Sequence, residues 1–139
     1  SKVFVLWGLN IPQVGQIEIA PPYLNFRMAW NYGMNFGLFA QDSPMTRWIL
    51  ITVAMVIIGF VSIWIRYERP RKIVMLAAGL LIGGALGNVI DRAIHGAVVD
   101  FLNMSCCGIN NPYAFNIADV EIFIGAVGLA LFGDQKNAT

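Results

Sequence analysis

Residues 73–90, IVMLAAGLLIGGALGNVI, pass eighteen positions without a charge and then end on Asp91-Arg92. A run of that length lies near the lower end of the roughly 17–25 apolar residues that carry a helix across a bilayer. Residues 48–65, WILITVAMVIIGFVSIWI, form a second such run. The 139 residues are 58% hydrophobic and 12% charged, with a mean hydropathy of +0.66; soluble domains average roughly 45–50% apolar and 25% charged residues. The sequence is that of a membrane protein, mainly α, folded as a polytopic helical bundle.

Working outward, these runs predict helices over 46–66 and 72–93. A third helix is expected over 117–133, entered through a polar end at Asp119 and Glu121. The opening SKVFVLWGL is too short to cross, and residues 1–11 read as the remnant of a first span. It lacks the basic start, longer apolar region and small-residue cleavage site of a signal peptide. Between it and Pro44, GQIEIAPPYLNFRMAWNYGMNFGLF (15–39) alternates, breaks at Pro21-Pro22 and is rich in aromatics. That texture predicts short strands and turns, a small β element over 16–43 lying on the membrane. Residues 1–139 are expected to form a single membrane-embedded domain.

The connection RYERPRK (66–72) carries four basic residues against one acid. Short loops rich in Lys and Arg stay in the cytoplasm, so the opposite ends of both spans face outward. NVIDR (88–92), VVDFL (98–102, the connection to the last span) and FNIAD (115–119) then meet at the outer interface. Nine basic against eight acidic residues exclude a nucleic-acid partner, which needs a strongly basic face.

Two motifs repeat there: Asn88-x-x-Asp91 and Asn116-x-x-Asp119. Positions three apart share a helix face, so each sets an amide beside a carboxylate that it can orient. Asp91, Asp100, Asp119 and Glu121 are four of the eight acids in the chain, gathered at one interface where ionisable groups are costly and point to function. Singly each has an ordinary reading: an Asp91–Arg92 ion pair at a helix end, Asp100 capping a turn, Asp119 at a helix N-terminus. Together they point to paired-carboxylate chemistry. One histidine, His95, and two adjacent cysteines, Cys106 and Cys107, supply no familiar zinc-ligand spacing, and all three read as loop residues. Serine–lysine catalysis needs a lysine at the site, which only a fold-back of Lys2 would provide.

WNYGMNFGLF (30–39), GGALGNVIDR (83–92), VVDFL and FNIAD resemble, in order and spacing, the motifs of the lipoprotein signal peptidase (signal peptidase II) family. The resemblance covers almost the whole chain. It implies a four-span aspartyl protease of the bacterial inner membrane, with its site at the periplasmic face. Such a protease removes signal peptides from prolipoproteins just before a diacylglyceryl-modified cysteine. By the same resemblance Asp100 and Asp119 are the catalytic pair, and Asn31, Asn88, Asp91, Arg92 and Asn116 line or brace the site. The 16–43 segment is the β-cradle that clamps substrate. No metal or organic cofactor is implied; the partners are the prolipoprotein and membrane lipids, and the chain is expected to be a monomer. Two features depart from the family pattern. Of the first-span Asp-x-x-Ser/Thr-Lys motif only Ser1-Lys2 are present, and Glu121 stands where a small or apolar residue is usual and is expected to point away from Asp119. Both leave open an alternative, a catalytically silent relative serving as a structural subunit of a membrane complex.

Overall fold

Two long apolar helices form an antiparallel hairpin in the computed structural model, which describes residues 1–33 and 44–134. Helix α2 spans Pro44–Glu68 and α3 spans Lys72–His95; both are long and apolar enough to cross a membrane. Proline opens α2, where its missing N–H costs nothing, and the hairpin turns at Arg69 in a left-handed conformation (φ 45°) before Pro70. Helix α4, Ile117–Phe132, returns beside α3. A short helix α1, Ile11–Val14, follows a π-helical turn over Phe4–Gly8, so the opening segment is two short turns and not one regular helix.

The helices pack through small residues. A Cβ on Gly84 would lie 2.4 Å from the Ala118 carbonyl oxygen, and one on Gly125 would lie 2.5 Å from the Ala77 oxygen and 2.6 Å from the Leu81 nitrogen. Such close approach is how membrane helices gain van der Waals contact where lipid offers no hydrophobic drive. Val61, Ala78 and Leu81 form the buried cluster between the spans, with Ile65, Ile82 and Leu129 against it.

Strands β1 (Gln16–Ala20), β2 (Leu24–Asn31) and β3 (Val98–Met104) make an antiparallel sheet in that order. The first two lie in the segment expected to be β, whose residues 34–43 fall outside the described ones. The third lies outside that segment: VVDFL, in the connection from α3 to α4, is itself a strand. Val98 through Phe101 are all buried, so the alternation that marks a half-exposed strand is missing. Gly96, at φ 81°, ends α3 by donating its N–H to the Arg92 carbonyl, a left-handed C-terminal turn suited to glycine, and sends the chain into β3. Phe101 joins Val5 and Ile11 in a second buried cluster and meets Phe26 edge to face at 5.8 Å. The sheet therefore sits at the end of the α2–α3 hairpin away from residues 66–72.

The glycine contacts give a direct test. Gly125→Ala forces a methyl into the α3 backbone and should cost about 1–3 kcal/mol, the usual range for overpacking, read as a lower thermal midpoint in detergent. Gly79→Ala, where a Cβ meets nothing within 4 Å, should leave the midpoint unchanged or raise it.

Candidate active site

Each end of the sheet–helix junction places one of the sequence-selected residues. Asp100 lies on β3 opposite Ala29 of β2, and Asn31, two residues further along β2, is its diagonal neighbour on the same face. The Asn31 Nδ2 donates to Asp100 Oδ2 at 3.1 Å. After β3 the chain loops out and returns: Leu102 and Phe115 exchange backbone hydrogen bonds at 2.8 and 2.9 Å. Asn103 fixes this return by donating to the carbonyls of Asn111 and Tyr113. Phe115 thereby delivers Asn116 to the side of Asp100.

Asn116 is the N-cap of α4. Its side-chain oxygen accepts from the Asp119 N–H at 3.2 Å, and Asp119 Oδ2 accepts from the Asn116 N–H at 3.1 Å, a reciprocal capping box. The Asn116 Nδ2 donates to Asp100 Oδ1 at 2.6 Å. This fully buried residue (0% exposed) therefore touches both aspartates. Asp119 is therefore part of a helix start, as its ordinary reading expects.

On α3, Asn88 Nδ2 donates to Asp119 Oδ1 at 2.9 Å. Its own oxygen accepts from Lys2 Nζ at 2.8 Å. Lys2 also pairs with Asp91 Oδ2 at 2.6 Å, and that oxygen accepts the Val99 N–H at 3.1 Å. Asp91 thus corrects the expected Asp91–Arg92 ion pair: its cation is Lys2, folded back from the start of the chain. Sequence reasoning did not place Lys2 at the site, although a lone cation heading an apolar run was a signal that it must meet an anion. Arg92 lies in the electrostatic reach of Asp119, Asp100 and Asp91, and its buried Nε has no hydrogen-bond partner among the described residues.

Burial pushes the Asp100 carboxyl above its ordinary value; the Asn116 and Asn31 amides and the Lys2 ammonium pull it down, while Asp119 pushes it up. Two further expectations change. His95 is not a loop residue but the last of α3, 5.7 Å from the Trp30 ring. Glu121, half-buried, stands with its Cβ over Gly84 of α3 and lines a cavity of about 290 Å³ with Lys2 and Asp91. Cys106 and Cys107 lie in an exposed turn as free thiols.

A hairpin of apolar helices, a third helix and a three-stranded sheet gripping two amide-held carboxylates define a membrane-embedded enzyme. The fold matches two solved structures, each described as a bacterial membrane enzyme obtained by the in meso method. One, at 2.3 Å, is 29% identical with a TM-score of 0.72 over 99% of this chain and 88% of that one. The other, at 1.9 Å, is 25% identical with a TM-score of 0.74 over 98% and 91%. The sequence profile of the signal peptidase (SPase) II family matches residues 1–133, and the chain belongs to that family. It is 39% identical to the lipoprotein signal peptidase of Methylorubrum extorquens (strain PA1) over 131 residues, covering 94% of this chain and 75% of that protein. It is 38% identical to the lipoprotein signal peptidase of Caulobacter vibrioides, covering 99% and 80%.

Lys2→Met should leave Asp91 as an unpaired, largely buried charge and cost about 3–5 kcal/mol, measured as a drop in thermal midpoint in detergent. Lys2→Met with Asp91→Leu should recover much of that loss. A carboxyl whose folded pKa lies above its unfolded value binds its proton more tightly when folded, so ionising it opposes folding. For Asp100 this cost is absent below the ordinary value of 3.8, grows as pH rises to the raised folded value, and is constant above it. The stability of the wild type relative to Asp100→Asn should therefore fall across that window and then level off, followed by denaturation in buffers of stepped pH.

Proposed function

We propose that this chain is an aspartic endopeptidase that removes signal peptides from prolipoproteins carrying a diacylglyceryl-modified cysteine, cutting just before that cysteine. Family membership supports the peptidase activity and the prolipoprotein substrate. The aspartic mechanism rests on one observation, the buried Asn116 that holds both Asp100 and Asp119.

In this mechanism the pair works with one proton between its members, as in other aspartic dyads. The burial of Asp100 favours the proton there. Asp119, only half-buried, takes a proton from water as the water oxygen bonds to the scissile carbonyl carbon. Asp100 gives its proton to the carbonyl oxygen, forming a tetrahedral diol. As the C–N bond breaks, the amine takes the proton from Asp119 and the diol returns one to Asp100, which restores the pair. The Nε of Arg92, unpartnered among the described residues, is available to a carbonyl of bound peptide and to charge developing on it. Asn31 and Asn88 keep each carboxylate fixed while the protons move. Asp91 braces the site by joining Lys2 on one side to the start of β3 on the other.

In this reading the whole chain works as one membrane-embedded unit and as a monomer. The basic 66–72 connection stays on the cytoplasmic side of the bacterial inner membrane and the site opens at the periplasmic face, where lipid and substrate meet the β-cradle.

Asp100→Asn and Asp119→Asn keep shape while removing the titrating group. Each should lower cleavage of a diacylglyceryl-modified prolipoprotein by at least about 10³-fold, in line with loss of an essential acid or base, with the helical content retained. Asp91→Asn should instead lower thermal midpoint and activity together. Full cleavage by either dyad variant would overturn the aspartic mechanism.

A further inference from the structure

At the end of the α2–α3 hairpin away from the aspartates lies a cavity of about 1000 Å³, lined by Ser62, Ile65, Arg66, Tyr67, Arg69 and Met75. Positions 62, 65, 66 and 69 recur at helical spacing, so one face of α2 and its exit supply most of the wall. Nothing in the aspartate chemistry uses this site.

Its lining is divided. Ile65, which also packs on the cluster between the spans, and the exposed Met75 are apolar. Arg66 and Arg69 are exposed guanidiniums, with hydroxyls from Ser62 and Tyr67 beside them. The 66–72 connection holds four basic residues and a single acid, Glu68, so the local field is positive. Helix α3 starts here with no acidic residue in its first turn and no side-chain cap on its N-terminus. Its positive end adds to that field. Arg69 stands between the end of α2 and Pro70, which holds its backbone in place.

A ligand that satisfies both halves needs an anionic group with oxygens spaced for guanidinium forks, and an apolar tail that lies along the helices. Arginine suits phosphate through paired N–H donors, and basic pockets between membrane helices take lipid headgroups. We propose that this cavity binds one anionic phospholipid, its phosphate between Arg66 and Arg69, its headgroup hydroxyls at Ser62 and Tyr67, and an acyl chain against Ile65 and Met75. The site is separate from cleavage and does not depend on the peptidase reading.

The test is native mass spectrometry on the full chain, purified and delipidated in a neutral detergent, titrated with dioleoyl-phosphatidylglycerol or dioleoyl-phosphatidylcholine. The wild type should retain one phosphatidylglycerol with about thirtyfold preference over phosphatidylcholine, the factor expected for two basic residues near an anionic lipid. Arg66→Gln with Arg69→Gln should abolish the preference, and each single variant should reduce it part-way. Arg27→Gln, which removes an exposed charge from β2, should retain it. Equal binding of the two lipids by the wild type, an undiminished preference in the double and single variants, or an equal loss in Arg27→Gln would overturn the proposal. Displacement of the lipid by millimolar inorganic phosphate would overturn it too, by assigning the cavity to a free anion.

Discussion

A polar group in or beside hydrocarbon has no water to fall back on, and leaving it unpaired costs several kcal/mol. That constraint organises the outer end of this protein. The end of α3, the start of β3 and the start of α4 each bring polar groups to the same small volume, and the carboxylates and amides among them are satisfied by one another and by Lys2. Lys2 serves Asn88 and Asp91; Asn88 serves Asp119; Asn116 serves Asp119 and Asp100; Asn31 serves Asp100. The chain of contacts runs from the first residues to the last helix. Removing one member strands its neighbour, which makes the set a structural unit as well as a chemical one.

The relay can close only because α3 and α4 approach each other so nearly. Gly84 and Gly125 leave no room for a methyl group, and that spacing puts Asn88 within 2.9 Å of Asp119. A wider helix pair would place a side chain at the interface and draw the amide away from the carboxylate. Gly84 of GGALG, within the run that marks a membrane span, thus sets a distance at the site. Capping acts in the same direction: the box formed by Asn116 and Asp119 fixes the first turn of α4 and, with it, the orientation of the Asp119 carboxylate.

Much of this was legible in the sequence. The helices follow from charge-free runs, and α4 from Asn116-x-x-Asp119, which is both a helix start and a site motif. Strand β3 was harder to read, because burial on both faces removed its alternation and left VVDFL looking like a short apolar link. The partner of Asp91 was hidden for another reason. Arg92 is its neighbour in sequence, whereas Lys2 is 89 residues away, and no local spacing reports a pairing of that range. Asn31 could be matched to a motif, but its contact with Asp100 depends on the β2–β3 register, interrupted by an irregularity between Phe26 and Ala29.

The two aspartates stand on unlike supports, and their difference follows from that. Asp100 projects from a strand packed on both faces and is 2% exposed, with an asparagine on each oxygen. Asp119 sits in the first turn of a helix and is half-buried, with one oxygen on the Asn116 N–H and the other on the Asn88 amide. The buried strand position thus favours the protonated form of Asp100. Two residues of the same type are given unlike surroundings by the elements that carry them, and Asn116, the last residue before the helix, holds both to a common geometry.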